Sequence, residues 1–240
     1  LAGYFAAWLA GLSVPAWLRG LMPVVIIPLG TTLVVGAVMY LVLGLPLAAL
    51  MNALQDGLTS MSGGGSAVFL GIILGLMMCF DLGGPVNKAA YVFGTTLLAS
   101  NIKIPMAAVM AAGMVPPLAM SAATFLRSRL FTKAEVENGR SAWLLGLSFI
   151  SEGAIPFAAA DPLRVIPACM IGAATTGALV GLMHIELAAP HGGVFVMLIP
   201  GAISNVPMYC AAIAAGAVVT ALGLGIFKKP ISTQAQAATA

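Results

Sequence analysis

The sequence predicts an all-α, polytopic helical membrane protein with two re-entrant hairpins. Three observations carry that reading. Hydrophobic residues make up 61% of the 240 and charged residues only 7%, against about 25% charged in a soluble domain. Apolar runs long enough for a crossing of roughly 20 residues recur along the chain, with Gly and Pro inside them. Two further apolar segments, 67–80 and 86–99, are each short for a crossing. They flank a Gly-Gly-Pro break, as a hairpin that enters and leaves on one face would.

In chain order, residues 1–18 are apolar and close on Trp17 and Arg19, an interface-anchor pairing. They form a short span or the end of a longer one. Residues 21–50 exceed one untilted crossing, and Pro23, Pro28, Gly44 and Pro46 mark ends or kinks in them. The polar interval 52–66 ends in the flexible Ser62-Gly63-Gly64-Gly65-Ser66. The first hairpin covers about 67–99. After a polar break at 101–105, residues 106–125 form a span interrupted at Pro116-Pro117. A basic loop over 127–140 follows.

The second hairpin covers about 141–160. Within it a short apolar run, 143–150, leads into Ser151-Glu152-Gly153-Ala154-Ile155-Pro156. Asp161-Pro162 reads as an N-cap followed by proline at the first helical position. Residues 166–183 form a span and 184–193 a polar turn region. The last span lies within 194–227, after breaks at Pro200-Gly201 and Asn205-Val206-Pro207. Residues 230–240 are a polar C-terminal tail. Gly71-Ile72-Ile73-Leu74-Gly75 and Gly177-Ala178-Leu179-Val180-Gly181 are small-xxx-small patterns that predict close helix packing.

The net charge of +3 is too small to point to nucleic acid. Its placement is more informative. Arg127, Arg129, Lys133 and Arg140 cluster in one segment, and Lys228-Lys229 follow the last span, so both places read as cytoplasmic. An even number of crossings then separates them. The spans 166–183 and 205–227 supply two, which agrees with 141–160 entering and leaving on one side; a broken full span with a third crossing elsewhere is the alternative. Cys79, Cys169 and Cys210 have no metal or redox spacing and read as inert buried thiols. The chain opens on an apolar run without a charged lead-in, so no cleavable signal peptide is expected and an N-terminal truncation is.

Candidate chemistry concentrates at the two breaks. A charge near a bilayer centre costs on the order of 3 kcal/mol, so an ionisable group there marks a site or pathway. Glu152 lies at such a place, where its carboxylate suits the hydroxyls of a neutral sugar. A helix-end carboxylate in the interface, paired with Arg164 or capping a short helix, is the alternative. Asp81, Asn87 and Lys88 surround Gly83-Gly84-Pro85. Pro85 fits a first helical turn, and the two glycines allow a tight approach. Lys88 near a helix start is disfavoured by the dipole, and Asp81 is its nearest compensating charge. The two charges are either a structural pair or part of the pathway, while Asn87, donor and acceptor at once, is the better sugar contact. His191 and His184, with Glu186 near them, lie in a turn region where solvated and functional roles are both open. Asp161 reads more readily as a cap than a ligand. No Walker loop, His-Glu-x-x-His or Gly-x-Ser-x-Gly is present, so ATPase, zincin and serine hydrolase chemistry have no support. No catalytic residue, metal site or cofactor is expected.

At these residues the chain resembles a known family. The run from Phe80-Asp81-Leu82-Gly83-Gly84-Pro85 through Val86-Asn87-Lys88-Ala89-Ala90-Tyr91 is similar to a signature of the membrane component (enzyme IIC) of the bacterial fructose-type sugar phosphotransferase system. Ile150-Ser151-Glu152-Gly153-Ala154-Ile155-Pro156-Phe157 through Asp161-Pro162 resembles a second signature, and Pro190-His191-Gly192-Gly193 a third. The resemblance runs over 1–229 and implies part of a homodimeric permease of the bacterial inner membrane. It implies substrate contacts by Glu152, Asn87, Gly84, Gly153 and His191, with Asp81, Lys88, Asp161 and Arg164 as structural or gating charges. It also implies fructose as substrate, surrounding membrane lipid, and a separate phosphorylated IIB domain that phosphorylates the sugar. The chain would then be no enzyme by itself. The rival readings are an ion-coupled secondary transporter, which also uses broken helices and midplane acids, and a non-transporting membrane receptor. The hairpin layout predicts that cysteines introduced at positions 140 and 164 label from the same membrane face; labelling from opposite faces overturns it.

Overall fold

The computed structural model describes residues 2–15, 18–46, 48–49, 52–53, 56 and 67–228. Trp17, the Ser62 to Ser66 stretch, Lys229 and the 230–240 tail lie outside the described residues. The chain divides into two compact units, 1–53 and 54–240. The described residues are helical apart from short turns and one isolated antiparallel bridge between Leu187 and Ile203.

In the first unit, α1 (Ala2–Ala10) is followed by α2 (Ile27–Val38), which is flanked by wider π turns at Met22–Ile26 and Met39–Leu43. Of the ends or kinks expected at Pro23, Pro28, Gly44 and Pro46, Pro23 lies at the start of the helical stretch and Pro28 where the π turn gives way to α-helix, while the backbone stays helical through Gly44 and Pro46. Pro23 and Pro28 each fall in the first turn of a segment, where a missing N–H costs least. The stretch Met22–Val42 is long and apolar enough to cross a membrane.

The second unit contains α3 (Ala67–Phe80), α4 (Pro85–Ala99), α5 (Ile104–Leu126), α6 (Lys133–Leu147), α7 (Ile155–Ala160), α8 (Pro162–Leu182) and α9 (Val206–Phe227). Three of these, α5, α8 and α9, have the length and hydropathy of membrane crossings. Helix α5 is the hub and packs against α3, α4, α6, α8 and α9. It is buried along most of its length, with Met106, Met110, Met114 and Met120 in the core. The expected interruption at Pro116-Pro117 does not occur, since α5 is continuous through both prolines. An interior proline costs roughly 3 kcal/mol in an isolated helix, and here neighbours on every side hold the backbone in place.

The glycine patterns do what their spacing predicts. Gly71 lies against the Gly177 carbonyl, Gly75 against Ala173, and Gly181 against the Ala67 carbonyl, so α3 and α8 touch backbone to backbone. On the opposite side of α8, Gly172 and Gly216 bring α9 equally close, and Thr176 donates to the Ala212 carbonyl at 3.0 Å. A β-carbon at these glycines would overlap backbone that has no room to shift.

Three sequence expectations need revision. The basic segment 127–140 is mostly helical, because Thr132 and Glu135 form a reciprocal capping box that starts α6 inside it. Thr132-Lys133-Ala134-Glu135 carries that signature in plain view. The polar turn region 184–193 buries Ile185 and Leu187 completely, and its backbone bonds to the 202–204 segment through Ala188 N–H to Ala202 O and Ser204 N–H to Glu186 O. Of the three cysteines, Cys79 and Cys169 are buried but Cys210 is exposed, beside the Met197 sulfur.

Lys228, at the end of α9, is buried. Its ammonium reaches the Glu135 carboxylate and sits 4.1 Å from the centre of the Phe131 ring. Glu135 thus caps α6 and anchors α9 together. Replacing Gly177 by Leu is expected to remove the α3–α8 contact at a cost of about 3 kcal/mol or more. Gly36→Ala, where nothing stands within 4 Å, is expected to leave stability level or slightly raised; thermal unfolding of the purified protein reads both. Glu135→Gln strands the buried Lys228 charge and is expected to cost about 3–5 kcal/mol. The double change Glu135→Met with Lys228→Met recovers most of that in the same assay.

Candidate functional site

The site is built where two helices stop inside the bundle. Helix α3 ends at Phe80, the chain turns through residues 81–84 with Leu82 and Gly83 at φ 46° and 108°, and α4 begins at Pro85. Only glycine takes Gly83's conformation without strain. A β-carbon there would also come within 2.5 Å of the Glu152 Oε1 atom. Glycine at 83 therefore lets the carboxylate of a residue 69 positions later lie directly over the turn.

Asp81 and Lys88, the pair considered from sequence, do not meet. The Asp81 carboxylate caps α4 instead, accepting from the Val86 N–H at 2.7 Å through Oδ2 and from the Asn87 N–H at 2.9 Å through Oδ1. It satisfies two of the donors that a helix start leaves unpaired. Lys88 reaches across to Glu152 at 3.2 Å, with their side chains 52% and 41% exposed. Arg164, considered as the Glu152 partner, binds Asp161 at 2.9 Å. Asp161 holds the N-cap position of α8 but makes no capping bond, because its carboxylate is turned to that arginine.

Asn87 is buried. Its amide donates to the Met78 carbonyl at 2.7 Å and to the Ser151 hydroxyl at 3.4 Å. The first bond satisfies a carbonyl at the open end of α3, and the second ties the first break to the second. Ser151 opens the 3-10 turn Ser151–Ala154 that carries Glu152 and continues into α7. Gly153 is buried against Leu145 and Pro117, so its lack of a side chain serves packing. Gly84 is the half-exposed N-cap of α4, with the Asp81 carboxylate tight against it.

His191 is exposed at the rim. Its ring lies 5.0 Å from Phe149 and 6.4 Å from Tyr91, centre to centre. Phe149 holds φ 62°, costly for a bulky residue, and Gly193 at φ 58° packs on the Leu147–Phe149 backbone. Tyr91 lies one helical turn beyond Lys88 and Asn87. The three signature segments thus converge on one place: Asp81, Gly84, Asn87 and Lys88 from the first, Ser151 and Glu152 from the second, His191 from the third. Asp161 and Arg164 pair with each other. Among the described residues His184 pairs with no carboxylate; it contacts the Leu182 carbonyl. Sequence reasoning passed over Ser151, Phe149 and Tyr91. Ser151 adjoins Glu152 in its motif, while no residue pattern signalled the positive φ of Phe149.

Comparison with known proteins gives the family. The family described as Phosphotransferase system, EIIC matches residues 1–172. A PTS system fructose-specific EIIB'BC component of Vibrio cholerae serotype O1 is 54% identical over 226 residues, 94% of this chain and 39% of that protein. The corresponding component of Escherichia coli K12 is 53% identical over 219 residues, 91% of this chain and 39% of its own length. A fructose permease IIC component of Bacillus amyloliquefaciens is 48% identical over 233 residues, 96% of this chain and 75% of its own. The chain therefore spans about two fifths of the Vibrio and Escherichia relatives. No solved structure matches it. The extent and identity of these matches establish that the chain belongs to the EIIC family of the phosphotransferase system.

Proposed function

We propose that the chain is the sugar-translocating part of a phosphotransferase permease, with fructose or a close relative as its substrate. The observation that carries this is the meeting of Glu152 with Lys88 across two helix breaks, in a family whose relatives at about half identity are named fructose-specific. A half-exposed ion pair contributes only about 0–1 kcal/mol, so a polyol that offers hydrogen bonds to the carboxylate is able to displace the lysine. A sugar hydroxyl donates to Glu152, and His191, beside Phe149 and Tyr91, offers a further polar contact. Gly84 keeps the turn low enough for the sugar to approach. Asn87 acts through Met78 and Ser151, setting the distance between the two breaks.

In this reading α3 with α4, and α6 with α7, are the two re-entrant hairpins. Support comes from length, since α3 has 14 residues and α4 has 15, about 21–23 Å at 1.5 Å per residue, short of a hydrocarbon core of about 30 Å. The basic segment and the end of α9 face the cytoplasm of the bacterial inner membrane, as the positive charge there favours. A IIB domain, which the names of the EIIB'BC relatives indicate for those proteins, supplies the phosphoryl group on that side. The permease works as a homodimer.

The test uses membrane vesicles supplied with the soluble phosphotransferase carriers and labelled fructose. Phosphoenolpyruvate-driven accumulation of sugar phosphate is expected. Glu152→Gln is expected to weaken it by about 1.5–3 kcal/mol of lost charge-assisted hydrogen bonding, with the protein still folded. Free sugar that accumulates without phosphoenolpyruvate, and collapses with an ionophore, refutes group translocation. Lys88→Met is expected to preserve or tighten sugar binding, because it frees the carboxylate. Loss of binding in that variant would place Lys88 on the sugar itself.

A further inference from the structure

An apolar groove of about 290 Å³ runs between the ends of α5 and α9, walled by Leu126, Leu130, Leu222 and Ile226 and floored near Ala221. Leu126, Leu222 and Ile226 are 79%, 61% and 79% exposed, so in a membrane this groove meets lipid tails. Arg127 stands at its mouth. The Arg127 guanidinium makes one long bond, 3.4 Å, to the Gly225 carbonyl and lies close over that glycine. Of its five N–H donors, most remain open.

Charge accounting sharpens this. Glu135 neutralises Lys228, Glu137 holds Arg140, Asp161 holds Arg164 and Glu152 holds Lys88. Arg127, Arg129 and Lys133 have no carboxylate partner among the described residues. Of these three uncompensated cations, Arg127 lines the membrane-facing groove, whereas Arg129 and Lys133 line a separate concavity with Glu137 and Arg140. A tail-shaped apolar slot with a guanidinium at its head fits an amphiphile whose head is anionic.

We infer that this groove binds an anionic phospholipid, one acyl chain between α5 and α9 and the phosphate on Arg127. Guanidinium and phosphate match in geometry as well as charge. The site shares no residue with the proposed sugar site, so it stands whatever that site transports.

The experiment is native mass spectrometry of the protein released from bilayers of equal phosphatidylglycerol and phosphatidylcholine. Phosphatidylglycerol is expected to be retained in preference by about fivefold or more, the size of one near-surface cation–lipid attraction. Arg127→Gln is expected to abolish that preference and Arg127→Lys to keep part of it. Ala221→Trp, which fills the groove and leaves every charge in place, is expected to reduce retention of the lipid. Equal retention of both lipids overturns the inference, as does a preference unchanged in Arg127→Gln. Competition by millimolar inorganic phosphate with no effect of Ala221→Trp would reduce the site to a free-anion site. Protection of an Ile226→Cys thiol only in the dimeric fraction would assign the groove to a second copy of the chain. Impaired phosphorylation by the carriers in Arg127→Gln, with lipid retention intact, would assign the arginine to a phosphoprotein partner.

Discussion

A helix that stops leaves carbonyls at one end and amides at the other without partners, and at a break within a membrane-embedded bundle side chains have to supply many of them. The centre of this molecule is organised around meeting that demand. Asp81 takes two amides of the starting helix, and Asn87 takes a carbonyl of the ending one. Ser151 then joins the first break to the second. Polar side chains at the breaks are thus required by the backbone before any ligand is considered. Glu152 and Lys88 differ from them, since neither caps anything, and their charges face each other at the surface of the arrangement.

The same economy explains why single residues carry two duties. Glu135 closes a capping box and receives a buried lysine. Gly83 supplies a backbone conformation and the space for a carboxylate. In both cases one residue at a junction between elements fixes two segments.

Much of this was legible in the sequence. Composition and run length announced the spans, and the Gly-x-x-x-Gly patterns announced close packing for α3 and for α8, though not that the two pack on each other. The signatures around Asp81, Glu152 and His191 marked the segments that converge. Partnership was harder to read. Asp81 and Lys88 are close in sequence, yet the turn directs the carboxylate down onto α4 and leaves the lysine for an acid 64 residues away. Pro116-Pro117 looked like a break because local propensity ignores the neighbours that hold α5 from every side. The start of α6 was missed although its capping box was readable, because the cluster of positive charge suggested a loop. The exposure of Cys210 and the strained backbone of Phe149 depend on tertiary packing alone.

Where α3 and α8 meet, carbonyls and α-carbons interlock with no side chains between them. Such a contact has no rotamers to rearrange, so it resists sliding and twisting alike. In the transport role proposed above, such a contact would move α3 and α8 together, with the end of α3 that bears Asp81. The positive-φ residues Leu82 and Gly83 on one side and Phe149 on the other flank the two segments that bring Lys88 and Glu152 to 3.2 Å. Under that proposal, the Glu152–Lys88 separation is the distance by which to follow the two breaks.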